Sequence, residues 1–137
     1  MHTLSSGHGS VHDGFWRIYK GIREHALDGL SDGLRQYPDA EEFVVTGHSM
    51  GGSLSILFLL DAIFPREHRE ERIPRHMKLK LAVFGAPRVG DAKLRENWKS
   101  FVDEFREERG ESAFAEYSVK AYNDGEFHLS LGLDQLN

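Results

Sequence analysis

The chain has 137 residues, no cysteine and a net charge of −5 from 17 basic and 22 acidic side chains. That length holds one domain at most, able to bury roughly two thirds of its unfolded surface but small for an enzyme built on a wide sheet. The mild, interspersed charge leaves no nucleic-acid footprint, the missing cysteines exclude disulfides and thiolate chemistry, and no apolar run reaches the length of a membrane span.

Residues 1–10 are rich in Gly, Ser and His and read as a flexible lead without the apolar run of a signal peptide. Their histidines read as solvated, and no metal site is expected, because no second ligand cluster supports one. From Gly14 the pattern changes. Phe15, Ile18, Tyr19, Ile22, Ala26, Leu30, Leu34 and Tyr37 recur at steps of three and four, the apolar face of a helix that ends before Pro38. Gly21, Gly29 and Gly33 each weaken it by up to about 1 kcal/mol relative to alanine, so it needs packing support, which a sheet would provide.

Pro38-Asp39-Ala40 is a connector, and Glu42–Thr46 is a β-branched and aromatic strand. It enters Gly47-His48-Ser49-Met50-Gly51-Gly52. A helix apolar nearly all round then runs from Met50 to Phe64 and stops at Pro65. Strand, Gly-x-Ser-x-Gly turn and helix together form the context of a nucleophile elbow, which makes Ser49 the candidate nucleophile. Gly47 and Gly51 are expected to let neighbouring backbone pass without a Cβ clash. The helix N-terminus favours a developing oxyanion, with the Met50 N–H as first donor. The plainer alternative is a Gly/Ser turn that merely joins a strand to a helix.

Arg66 to Arg75 mixes both signs of charge and reads as a solvated loop. Lys78–Phe84 becomes fully apolar and reads as a second buried strand. Gly85-Ala86-Pro87-Arg88-Val89-Gly90-Asp91 is a turn, with Asp91 placed to cap the next helix. Leu94, Trp98, Phe101, Val102 and Phe105 form that helix's apolar stripe, which ends at Gly110. A third strand is expected over Glu116–Tyr122, followed by the turn Asn123-Asp124-Gly125. Alternating helices and strands predict an α/β fold with right-handed crossovers, its parallel three-stranded sheet covered on both faces.

Three blocks resemble the class 3 (fungal-type) lipases, a branch of the α/β-hydrolases. Val11-His12-Asp13-Gly14-Phe15 is similar to the family's Val-His-x-Gly-Phe entry to a long helix. Val45-Thr46-Gly47-His48-Ser49-Met50-Gly51-Gly52 is similar to its elbow, with Met50 replacing the usual leucine. Phe84-Gly85-Ala86-Pro87-Arg88-Val89-Gly90-Asp91 is similar to its Phe-Gly-x-Pro-Arg-Val-Gly block. The resemblance implies a partial α/β-hydrolase core over 11–125, with 126–137 as a divergent tail. It implies acyl transfer from acylglycerols or other small esters, with Ser49 as nucleophile, Asp124 as orienting acid and neither metal nor organic cofactor. It also implies transient contact with a lipid interface and, since family members are often secreted, a location that these residues leave undetermined.

In this fold the triad runs Ser, Asp, His along the chain, and His128 is the histidine that follows Asp124. If 124–128 were extended, roughly 13 Å would separate the two Cα atoms, beyond hydrogen-bond reach. Either Gly125 turns the chain back or the base is missing from these residues. By the same resemblance His48 packs behind the nucleophile and His12 is structural. The family draws its second oxyanion donor and its lid from a strand and loop before the first block, and here Met1 precedes that block by only about ten residues. After Gly125 the tail departs from the family's continuation, which suggests an altered reading frame, a retained intron or a truncated gene model. Unpaired sheet edges call for strands from a partner chain or mark an incomplete fold. The alternative to a serine ester hydrolase is therefore an inert lipase-like fragment or interaction module. A phosphate-binding glycine turn is disfavoured, because no lysine follows the glycines.

Overall fold

The computed structural model of the chain describes residues 1–3, 9–64, 71–120 and 130–131. Its elements are strands β1 (His2–Thr3) and β2 (Ser10–Val11), helix α1 (Asp13–Gln36), strand β3 (Glu42–His48) and helix α2 (Met50–Phe58), which continues into a π turn (Leu59–Ile63). Strand β4 (Lys78–Phe84), helix α3 (Ala92–Arg109), a 3-10 turn (Glu111–Ala113) and strands β5 (Phe114–Val119) and β6 (Ser130–Leu131) follow.

Strands β3, β4 and β5 lie parallel in that order, and β6 adds to β5 antiparallel. His48 stands beside Phe84 and Phe84 beside Val119, so the three parallel strands finish level with one another. The third strand begins at Phe114 rather than Glu116. Gly110, at φ 102°, ends α3, and the 3-10 turn delivers Phe114 directly beside Leu79. The expected continuation of this strand to Tyr122 lies outside the described residues beyond Lys120. Within the tail read as divergent, Ser130 and Leu131 pair with Ser118 and Tyr117.

Among the described residues the helices flank the sheet on one face rather than on both as expected. Gly52 of α2 sits against Val83, and Trp98 of α3 donates its indole N–H to Glu116 at 3.0 Å, so both helices lie on the face carrying Leu79, Leu81 and Val83. Among the described residues no helix covers the other face, where Val44, Phe84 and Tyr117 are 51%, 44% and 39% exposed. Burial therefore concentrates on one side. Phe64 packs there on the rings of Trp98, Phe101, Phe105 and Phe114 with centroids 5.2 to 6.3 Å apart, each fully buried apolar side chain contributing about 1.5–3 kcal/mol.

Helix α1 is not supported by the sheet but by α2, on which it packs as an outer layer. Tyr19 and Leu30 are its buried residues, while Ile18, Ile22 and Tyr37 of the expected stripe are 41%, 43% and 68% exposed. The π turn explains the attachment. Its i to i+5 bond, Phe64 N–H to Leu59 O at 2.9 Å, goes with a buried Asp61 that meets α1, where Tyr19 OH donates to Oδ2 at 2.7 Å and Arg23 Nε at 2.5 Å. That hydrogen bond is the main reason the Arg23 guanidinium is held above its ordinary pKa.

Two surface readings also change. The stretch read as a flexible lead is built in where it is described: β1 pairs with β2, and Ser10 N–H donates to Asp91 Oδ2 at 3.0 Å. Of the charged run from Arg66 to Arg75, residues 66–70 lie outside the described residues. Its remainder is anchored rather than free, because Ile73 is buried and Arg109 donates to the carbonyls of Pro74 and Ile73 at 3.0 and 3.1 Å. No described helix is long and apolar enough to cross a membrane.

Candidate active site

The elbow is built where β3 gives way to α2. Ser49 has φ 52° and ψ −124°, and among the described residues it is the one non-glycine with positive φ. Such a backbone costs about 1–3 kcal/mol and persists only where the surroundings impose it. Here they do so on both sides. Ser49 N–H donates to Phe84 O at 2.8 Å, and Ser49 O accepts from Gly52 N–H at 3.0 Å and Ser53 N–H at 3.4 Å. The serine is thereby exposed at the N-terminus of α2, and its side chain is not used to cap that helix.

Steric demand falls on different glycines than the motif suggests. A Cβ on Gly47 would overlap the Gly51 carbonyl group and lie 2.6 Å from Gly52 N, so strand and helix backbones touch there. A Cβ on Gly51 would meet nothing within 4 Å, which corrects the expected clash at that position. Gly52 carries the second demand, since its Cβ would lie 2.7 Å from that of Ala86. Ser53, wholly buried, adds a bond from its Oγ to Pro87 O at 3.1 Å. The motif assigns no packing role to Gly52 or Ser53, although a third consecutive small residue at the start of an apolar helix was a usable sign of close packing.

The third block joins this assembly at both ends. Gly85, at φ 58°, turns the chain out of β4 and donates its N–H to Val119 O at 2.6 Å. Asp91 caps α3 as expected, Oδ1 accepting from Leu94 N–H at 2.8 Å, and these backbone donors hold its carboxyl below the usual range. Val11 bridges to Gly90, and His12 N–H donates to Val89 O at 2.9 Å, so all three sequence blocks meet around the elbow's supporting loop.

His12 is occupied as the cap of α1, its Nδ1 accepting from Gly14 N–H at 3.2 Å. His48 does not pack behind Ser49. It is exposed at the end of β3 on the open sheet face, because strand alternation turns it away from α2. Met50 begins α2 and is 44% exposed, with its N–H among the first of the helix, which have no acceptor in a preceding turn. Asp124 and His128 lie outside the described residues. Their flanks do not: Ser118 of β5 stands opposite Ser130 of β6, and these two strands pair antiparallel. Among the described residues no group of three or more His, Asp or Glu side chains is arranged to hold a metal.

Chemically, an exposed serine on strained backbone at a helix N-terminus can attack an electrophilic carbon whose oxyanion the helix then stabilises. The chain is 37% identical over 81 residues to a lipase of Rhizomucor miehei, covering 59% of this chain and 21% of that protein. It is 38% identical over 76 residues to a triacylglycerol lipase of Ricinus communis, covering 56% of this chain and 14% of that one. The chain thus spans about a fifth or less of these curated relatives. The solved Rhizomucor miehei lipase propeptide complex superposes with a TM-score of 0.56 at 25% identity, over 86% of this chain and 40% of its own. A triacylglycerol lipase whose catalytic centre is a serine protease triad superposes with a TM-score of 0.55 at 21% identity, over 90% of this chain and 50% of its own. These neighbours share the α/β-hydrolase fold. The sequence profile described as Lipase (class 3) matches residues 1–119, and the chain belongs to that family.

Proposed function

We propose that this chain is a serine ester hydrolase acting on acylglycerols or related carboxylic esters through Ser49. The observation that carries the reading is the positive-φ, exposed Ser49 at the start of α2, a strained geometry that a joining turn has no need of. Ser49 Oγ attacks the ester carbonyl carbon while the Met50 N–H donates to the oxyanion. A histidine takes the serine proton and returns it to the leaving alcohol, and water then releases the acid by the same steps. Asp124 is the proposed orienting acid and His128 the proposed base. Their support is topological: β5 ends level with Ser49's strand and two strands across, roughly 10 Å away, so the segment holding both leaves from the nucleophile's end of the sheet.

Hydrolysis of a short-chain p-nitrophenyl ester by the 137-residue chain, with Ser49→Ala as control, tests the reading. Activity should vanish in Ser49→Ala and fall by a factor of about 10³ or more in His128→Ala. A fluorophosphonate probe should label the parent chain and not Ser49→Ala. Folded protein that neither turns over ester nor takes the probe would establish the inert fragment instead. Activity that survives His128→Ala would remove that residue from the mechanism.

A further inference from the structure

The residue that follows Ser49 brings a sulfur as well as an N–H to the elbow. Of the three methionines in the sequence, Met77 is 2% exposed, with its N–H donating to Pro74 O at 3.1 Å, and Met1 is the first residue. Met50 is 44% exposed, beside an exposed Ser49, at the first position of α2. That exposure belongs to the end of the sheet and not to its sides. Strands β3 and β4 finish level there, and α2 departs from this end with Gly52, Ser53, Ser55, Leu57 and Phe58 buried along its length. An ester and then water must reach Ser49 across this end, and the side chain next to it shares that access.

A thioether within reach of solvent is open to oxidation by hydroperoxides. The sulfur bonds to one peroxide oxygen as the O–O bond breaks, and the proton of that oxygen passes to the departing hydroxide or alkoxide, which leaves as water or alcohol. Sulfur gives up an electron pair and the peroxide takes it. The sulfoxide so formed is polar, with an oxygen that accepts hydrogen bonds far better than the thioether did. Carried on residue 50, that oxygen lies among the N–H groups that open α2 without an acceptor in a preceding turn, and the oxyanion of a reacting ester needs the same donors. We propose that Met50 is a modification site, oxidised by hydroperoxides to its sulfoxide in the folded chain, and that the sulfoxide blocks the elbow until it is reduced. Reduction removes the oxygen as water while two thiols join as a disulfide. The block rests on the ester-hydrolase reading of Ser49; the oxidation does not.

Brief exposure of the purified 137-residue chain to hydrogen peroxide, followed by tryptic peptide mapping, reads the site directly, because Met50 and Met77 fall in different peptides. Met50 should gain one oxygen atom faster than Met77 by about tenfold or more, with an unchanged circular dichroism spectrum. Ester turnover should fall in step with the unoxidised fraction of Met50, to about a tenth or less at full conversion, and methionine sulfoxide reductase with a thiol should restore it. Met50→Leu keeps the backbone N–H in a similar volume and has no sulfur, so whatever turnover it shows untreated should survive the same exposure. Oxidation of Met50 no faster than that of Met77 overturns the proposal. So does a Met50→Leu chain that loses the same fraction of its turnover as the parent, or full oxidation that leaves the parent's turnover intact. A folded parent chain that turns over no ester before treatment removes the hydrolase reading and the block together, and the mapping alone then decides the modification.

Discussion

At Gly47 the strand and helix backbones approach too closely for any side chain, while Gly51, two positions past the serine, faces open space. Gly47→Ala should therefore destabilise the fold by about 2 kcal/mol or more and abolish labelling by a fluorophosphonate, because the strand must shift away from α2. Gly51→Ala should be neutral or stabilising by up to about 1 kcal/mol, since alanine loses less entropy in a helix. Urea unfolding of the two variants checks both signs. Equal losses would mean that the glycines act through something other than space. Ser49 adds the converse case: Ser49→Gly should gain about 1 kcal/mol in the same assay by relieving positive φ, at the expense of all activity. The spacing of Gly and Ser made Ser49 legible as the candidate nucleophile, because a nucleophile elbow requires that order along the chain. Which glycine is crowded depends on Gly51, Gly52 and Ala86 as spatial neighbours, and a motif does not specify those.

Among the elements, α1 and α2 are joined through one buried carboxylate. Asp61 lies in the π turn and accepts from Tyr19 and Arg23 across the helix pair. Asp61→Ala leaves a buried hydroxyl and a guanidinium without that acceptor and should cost about 2–4 kcal/mol. Asp61→Asn, which keeps one oxygen, should recover part of the loss. Hydrogen exchange should locate the change in α1 before β4, since α1 rests on α2 and not on the sheet. Uniform exchange across both would show that the helix pair does not act as a separable layer. Period-3.6 patterning found α1 correctly but overstated its burial. Ile18 and Ile22 are as regularly spaced as Tyr19, and only the neighbouring helix decides which of them is covered. The single acid in Leu59-Leu60-Asp61-Ala62-Ile63 was the available clue that this face meets a polar partner.

At the scale of the molecule, the described residues cover one sheet face and leave the other open, and alternation along β4 was sufficient to foresee the strand but not the side on which helices gather. Its pH response follows from the covered side. Glu116 projects from β5 toward α3, with Trp98 donating to it and Arg106 near enough to favour its charge, yet burial is the larger influence and raises its pKa. A raised carboxyl binds a proton in the folded chain over a range where the unfolded chain has released it. Its contribution to stability is therefore complete below the ordinary glutamate value of 4.5 and is lost as pH rises through the folded value. Glu116→Gln keeps an oxygen to accept the Trp98 N–H and never ionises. The variant should match the parent in thermal stability near pH 4 and exceed it increasingly toward pH 7. Asp91, held low by the N–H groups of Leu94 and Ser10, works in the opposite sense, its contribution fading as pH falls below the usual aspartate range. Melting curves of parent and Glu116→Gln across that interval separate the two, because the Asp91 effect is common to both and cancels in the difference. A difference independent of pH would mean that burial and the opposing influences of Trp98 and Arg106 cancel, and a variant that loses stability relative to the parent toward pH 7 would mean that they outweigh burial and hold the carboxylate charged in the core.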